Sequence, residues 1–131
     1  MNYYSEISST RLDTCHPDLK TLFIEALEVM DHSILTGYRD EDIQNKAFDS
    51  GNSQKRFPES KHNLSPSLAV DAIPYPVDWD DKERMILFAG ILFGIAHKNK
   101  IQIRWGGDWD KDFNLKDNSF DDLTHFELIV S

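Results

Sequence analysis

Cysteine is nearly absent from this sequence: Cys15 is the only one in 131 residues. One thiol excludes an internal disulfide and a thiolate zinc cluster, and it suits a reducing compartment. Long apolar runs are missing too. The richest stretch, from Met85 to Ala96, falls short of the roughly 18 residues a membrane span requires, so no membrane partner is expected. Positive charge is scarce, with 14 Lys and Arg against 23 Asp and Glu and a formal net charge of −9. That balance argues against nucleic acid, which needs a clustered basic face. It also gives no attraction to anionic lipid. Met1-Asn2-Tyr3-Tyr4-Ser5-Glu6 has neither a basic n-region nor an apolar h-region, so no signal peptide is visible.

What remains is a composition of 40% hydrophobic and 28% charged residues, which fits a soluble globular chain with one modest core. Residues 1 to about 13 read as an extended arm. His16-Pro17-Asp18 then opens a helix, with proline in its first turn. Leu19, Leu22, Phe23, Ala26, Leu27 and Met30 recur at helical spacing and give it one apolar face. Ser33 to Thr36 reads as a strand ending at Gly37, and Glu41 to Phe48 as a polar helix. Leu68 to Ile73 reads as a strand stopped by Pro74 and Pro76. Asp80 and Asp81 begin the longest helix, where acids favour the positive end of the dipole. Its body is apolar nearly all round, which predicts a helix buried across the sheet, with Gly90 and Gly94 allowing close backbone packing. Ile101 to Trp105 alternates as a half-buried strand does, and His125 to Val130 forms the last strand. The expected architecture is α+β, with helices packed on a small, largely antiparallel sheet, in a single domain over residues 1–131.

The stretch from Ser60 to Asp71 carries the chemistry. His62 sits on the way into an apolar strand, and Asp71 lies inside it, where a lone carboxylate is costly. A metal ion accounts for both, because zinc takes imidazole nitrogen and carboxylate oxygen, and a catalytic zinc keeps one position open for water. The best third ligand is His125, in Asp122-Leu123-Thr124-His125-Phe126-Glu127-Leu128. Taken without context, His62 is an ordinary loop histidine, Asp122 a surface acid or a cap, and Arg39 a surface ion pair. His16, His32 and His97 belong to no motif and read as structural.

Ser60-x-His62, then Ala69-Val70-Asp71, then Asp122-x-x-His125-x-Glu127-Leu128 resembles the zinc D-alanyl-D-alanine peptidase family. That family includes VanY- and VanX-type carboxypeptidases and phage L-alanyl-D-glutamate endolysins. Thr36-Gly37-Tyr38-Arg39 followed by Gln44 is similar to the segment that carries the family's active-site arginine. Trp105-Gly106-Gly107-Asp108-Trp109 is similar to the approach to its last motif. The matched pieces run in family order from about Leu19 to Leu128. One departure is visible: nine positions separate His62 from Asp71, two more than in the usual Ser-x-His-x-x-Gly-x-Ala-x-Asp pattern, and Ser65-Pro66-Ser67 replaces the glycine turn.

The resemblance implies a hedgehog/D-Ala-D-Ala peptidase-like fold with one zinc on His62, Asp71 and His125. It implies Asp122 as general base, with Asp121 as the competitor if the loop is shifted by one. It implies Arg39 polarising the scissile carbonyl, and Ser60 and Gln44 holding substrate or orienting ligands. Glu127 faces the same way as His125 and is either a partner orienting the imidazole or a salt bridge. The implied partner is peptidoglycan stem peptide and the implied state a monomer. The implied location is the host cytoplasm, with access to the wall on lysis and no separate cell-wall-binding domain. L-alanyl-D-glutamate endopeptidase is the first expectation, and D-alanyl-D-alanine carboxypeptidase the alternative. From another class, the same fold serves as a non-catalytic zinc-binding domain of the hedgehog type. Asp108, Asp110, Asp112 and Asn114, in the acidic loop 108–117, also place oxygen side chains as the start of a calcium loop does. The glycine and the terminal glutamate of an EF-hand are missing, and a solvated acidic turn is the commoner explanation.

Overall fold

The computed structural model describes residues 1–116 and 122–130. In chain order the elements are helix α1 (Glu6–Leu12), α2 (Pro17–Val29), strand β1 (His32–Thr36), α3 (Glu41–Asp49), a 3-10 turn (Lys61–Asn63), β2 (Ala69–Pro74), α4 (Lys82–Lys98), β3 (Ile103–Gly106) and β4 (Asp122–Leu128). The strands form one sheet in the order β1-β2-β4-β3, with every neighbouring pair antiparallel.

Period-2 alternation gives the sheet two different faces. On one face Ile34, Val70, Ala72, Ile103, Trp105, Phe126 and Leu128 join the core beneath α2 and α4. Phe23 of α2, Phe88 of α4 and Phe126 of β4 meet there, with ring centroids 5.8 to 6.4 Å apart. Truncating a buried aromatic of this kind typically costs about 3–5 kcal/mol. The intervening residues Asp71, Arg104, His125 and Glu127 therefore fall on the opposite face, where they line a cleft of about 800 Å³.

The helix opened by Pro17 forms where its periodicity predicts. His16 caps it, its side chain accepting from the Asp18 N–H. The N-terminal arm is a correction, because residues 6–12 are helical rather than extended. Ser5 caps this helix by accepting from the Ser8 N–H, and Ser8 and Leu12 are buried. The Ser8 hydroxyl accepts from the Ile34 N–H, tying α1 to β1. With Ile7 62% exposed, no apolar stripe announces the helix.

α4 is a second correction. Met85, Phe88, Ala89, Leu92 and Ala96 are buried, but Leu87, Gly90 and Gly94 face solvent. A Cβ built at either glycine meets nothing within 4 Å, so neither makes a close backbone contact. β4 also starts earlier than expected, which puts Asp122 in the strand rather than in the loop before it.

Candidate metal centre

Antiparallel register places Asp71 of β2 directly opposite His125 of β4. His62 reaches the same point from the 3-10 turn. Ser60 caps that turn, accepting from the His62 N–H, while Asn63 Oδ1 accepts from the Ser60 N–H. The two extra residues of the His62–Asp71 segment are absorbed at the surface. Leu64, Ser65 and Pro66 are exposed, and Ser67 is anchored by backbone hydrogen bonds to Thr14 and His16. The longer loop thus changes the path between the two residues and leaves their meeting point intact.

Oxygen and nitrogen atoms of His62, Asp71 and His125 converge within 4.8 Å of one another, and all three residues are buried. The tautomers follow from their partners. The Gly37 carbonyl, 2.7 Å from His62 Nδ1, can only accept, so Nδ1 carries a proton and, in the neutral ring, Nε2 holds the lone pair. His62 Nε2 is buried without a hydrogen-bond partner, 3.4 Å from Asp71 Oδ1. Glu127 Oε1 lies 2.8 Å from His125 Nε2, so that nitrogen donates and Nδ1 faces Asp71 Oδ1 at 3.2 Å. Two imidazole nitrogens and a carboxylate oxygen therefore converge on one point, where a metal cation would satisfy all three. Ligand atoms about 2.1 Å from a tetrahedral zinc lie about 3.4 Å apart, close to the two spacings found here. The donor set fits the ion.

The electrostatics agree. Burial alone would raise the Asp71 pKa, but the His62 and His125 imidazoles outweigh it and hold the carboxyl far below the usual range. Burial disfavours charge on His125, yet the hydrogen bonds to Asp71 and Glu127 raise it to about 9. A proton on Nδ1 then occupies the place that a metal would take.

Around this centre lies a braced shell. Arg39 Nη2 donates to Asp71 Oδ2 at 2.9 Å, and Arg39 Nη1 to Gln44 Oε1 at 3.3 Å. Gln44 is fully buried and also bonds Ser53, Lys55 and Asn63. It is buried behind the residues that line the cleft, with its amide bonded to Arg39 and to the neighbouring loop. Ser60 does line the cleft, though its hydroxyl is engaged as the cap. Gly37, whose carbonyl orients His62, has no room for a side chain, because a Cβ there would run into Thr14 and the Arg11 carbonyl.

Asp122 and Thr124 also line the cleft, and the Thr124 hydroxyl donates to Asp122 Oδ1. Burial and then the nearby Asp71 carboxylate raise the Asp122 pKa, as suits a proton acceptor. Gly106 makes this position reachable: a Cβ there would strike the Asp122 backbone. The competitor Asp121 lies outside the described residues, as does Asp117.

Lys61 and Arg104 are assigned no role by the sequence motifs, and Trp109 closes one of them without a role of its own. Lys61 Nζ and Arg104 Nη2 both engage Glu127 Oε2, at 3.1 and 2.8 Å. Burial opposes ionisation of Glu127, but His125 and Lys61 take its pKa down to about 2. Trp109 packs against His125 and under the Arg104 guanidinium. The alternation of Ile101-Gln102-Ile103-Arg104 puts Arg104 on the polar face, but only the strand register sets it opposite Glu127.

Away from the centre, carboxylate oxygens of Asp108, Asp110 and Asp112 also come within 4.8 Å of one another. Asp108 Oδ1 is buried and has no partner among the described residues.

A sequence profile of the phage L-alanyl-D-glutamate peptidases matches residues 1–129. Among solved structures, the L-Ala D-Glu endopeptidase ChiX of Serratia marcescens aligns with a TM-score of 0.76 and 26% identity, over 96% of this chain and 89% of that one. No curated protein sequence matches it. Since the profile spans nearly the whole sequence, from α1 through the His125 strand, the chain belongs to the phage L-alanyl-D-glutamate peptidase family.

Proposed function

We propose that the protein hydrolyses the L-alanyl-D-glutamate bond of peptidoglycan stem peptides with one zinc held by His62, Asp71 and His125. The family assignment and the endopeptidase neighbour carry the reaction class and the substrate. The observation carrying the metal is the buried, partnerless His62 Nε2 facing Asp71 and His125. When bound, zinc supplies Lewis acidity, lowering the pKa of a water in its open position from near 16 to about 7 and polarising a carbonyl.

The protein's own residues do the rest. Gly37 and Glu127 fix the two imidazoles, and Arg39 with Gln44 fixes the Asp71 carboxylate. Fixed partners of this kind typically contribute about 10–100-fold in metal affinity or activity. Asp122, with its raised pKa, takes the proton of the attacking water and returns it to the leaving amine. Arg39 keeps a positive charge beside the place where the tetrahedral oxyanion develops, a contact typically worth about 3 kcal/mol. Trp79 and Trp109 flank the cleft and offer flat surfaces to the peptide.

The protein acts on the cell wall on host lysis, as a monomer. Among the described residues no helix is long and apolar enough to cross a membrane. The acidic turn at Asp108, Asp110 and Asp112 is a calcium position in this reading, filling the space before the buried Asp108 oxygen.

The test is digestion of purified peptidoglycan by the zinc-loaded protein, with mass analysis of the fragments. New amino-terminal D-glutamate is expected. Release of D-alanine alone would identify the carboxypeptidase instead, and no release at all would leave the non-catalytic zinc domain.

A further inference from the structure

Charge in the cleft is distributed unlike charge on the rest of the molecule. The chain carries a net −9, yet the cleft is lined by Arg39, Lys55, Lys61 and Arg104 against Asp71, Asp122 and Glu127. Arg39 is matched by Asp71. Lys61 and Arg104, by contrast, share a single oxygen of Glu127, whose other oxygen serves His125. One carboxylate thus stands against two cations. Glu127 is buried, while the Lys61 and Arg104 side chains are 30% and 35% exposed and within reach of a ligand. Lys61 is further committed to the Leu128 carbonyl at 2.6 Å. Arg104 Nε has no partner among the described residues, and the guanidinium rests on Trp109, 5.4 Å from the ring centre.

We infer that Arg104, assisted by Lys61, binds the free α-carboxylate of the D-glutamyl residue that follows the scissile bond. The inference rests on the L-alanyl-D-glutamate reading above. In a stem peptide D-glutamate continues the chain through its γ-carboxyl, so its α-carboxylate stays free and charged. An ordinary α-linked peptide has a neutral amide in that place.

The distances agree. Arg104 sits opposite Glu127, two residues along β4 from His125, which is about 7 Å at about 3.4 Å per residue. The α-carboxylate lies three bonds beyond the scissile carbonyl carbon, within about 4 Å of it. A hydrogen bond adds about 3 Å. A peptide with its scissile carbonyl at the metal centre therefore carries this carboxylate over a span comparable to that strand spacing, within the cleft that Arg104 lines.

The competing explanation is that Arg104 and Lys61 only buttress Glu127. A ratio separates the two roles. Two synthetic peptides, L-Ala-γ-D-Glu-L-Lys with the glutamyl α-carboxylate free or amidated, are assayed for kcat/KM with the zinc-loaded protein. The wild type is expected to prefer the free acid by about 10- to 100-fold, the range for a charge-assisted hydrogen bond. Arg104→Gln is expected to bring the ratio close to one, and Arg104→Lys to restore part of it. Damage to the metal centre lowers both rates together and leaves the ratio alone. Equal rates on both peptides in the wild type, or an unchanged ratio in Arg104→Gln, overturn the inference. Cleavage of neither peptide overturns the functional reading itself, and this inference with it.

Discussion

Acid should destabilise this protein partly through one residue outside the cleft, His32. The residue is 3% exposed and its ring lies among aromatic neighbours, 4.6 Å from Phe88, 5.2 Å from Tyr4 and 5.8 Å from Phe23 between centroids. Nδ1 donates to the Met30 carbonyl and Nε2 meets the Tyr4 hydroxyl. Burial pushes the imidazole pKa down to about 4, against the opposing pull of Met30 and Asp31. The folded pKa is thus depressed below the unfolded value of about 6.5. The stability this group contributes is fully present above pH 6.5 and is lost as pH falls toward 4, because the unfolded chain takes up a proton that the folded one refuses. Linkage puts the loss at about 2 kcal/mol by pH 5, with a limit of about 3.4 kcal/mol. The assay is urea denaturation between pH 7.5 and 4.5 of the wild type and of His32→Phe, both metal-free. The difference between them isolates this residue from the carboxylates and His125, which titrate alike in both. The wild type should lose about 2.5 kcal/mol more than the variant over this range. Parallel curves would refute the reasoning.

Three further outcomes follow from the site. Asp122→Asn should keep its zinc and lose about 10²–10⁴-fold in turnover; loss of zinc by elemental analysis would make Asp122 a ligand instead. Gly106→Ala, whose new Cβ meets the Asp122 backbone, should cut kcat by up to about 100-fold with zinc retained, and an unchanged kcat would detach Asp122 from the chemistry. Calorimetry with zinc saturated should show calcium binding that Asp110→Asn with Asp112→Asn abolishes; absence of heat in the wild type would leave only a solvated acidic turn.

Much of this architecture is legible in the residue order. The α2 face is, because five of its apolar residues repeat at helical spacing and all five are buried. The α1 helix is not, because Ser8, Ser9 and Thr10 have poor helix propensity and its support is the tertiary Ser8–Ile34 hydrogen bond. α4 reads as apolar all round, but composition does not say which side meets the sheet, and Leu87 is 59% exposed. His62, Asp71 and His125 are legible as a set rather than singly, since a buried acid needs cations and the three stand in the order of the family's motifs. The roles of Lys61 and Arg104 depend on which residue of β4 stands opposite β3. Strand register sets that, and a one-residue slip would turn Arg104 into the core.

The most direct test of the central claim is a zinc titration. Metal is stripped from the protein, zinc is returned in steps, and release of amino-terminal D-glutamate from peptidoglycan is followed at each step. Activity should rise linearly and break at one zinc per chain, and His62→Ala should recover none of it at that ratio. Full activity in the stripped protein, or the same break in His62→Ala, would contradict the account.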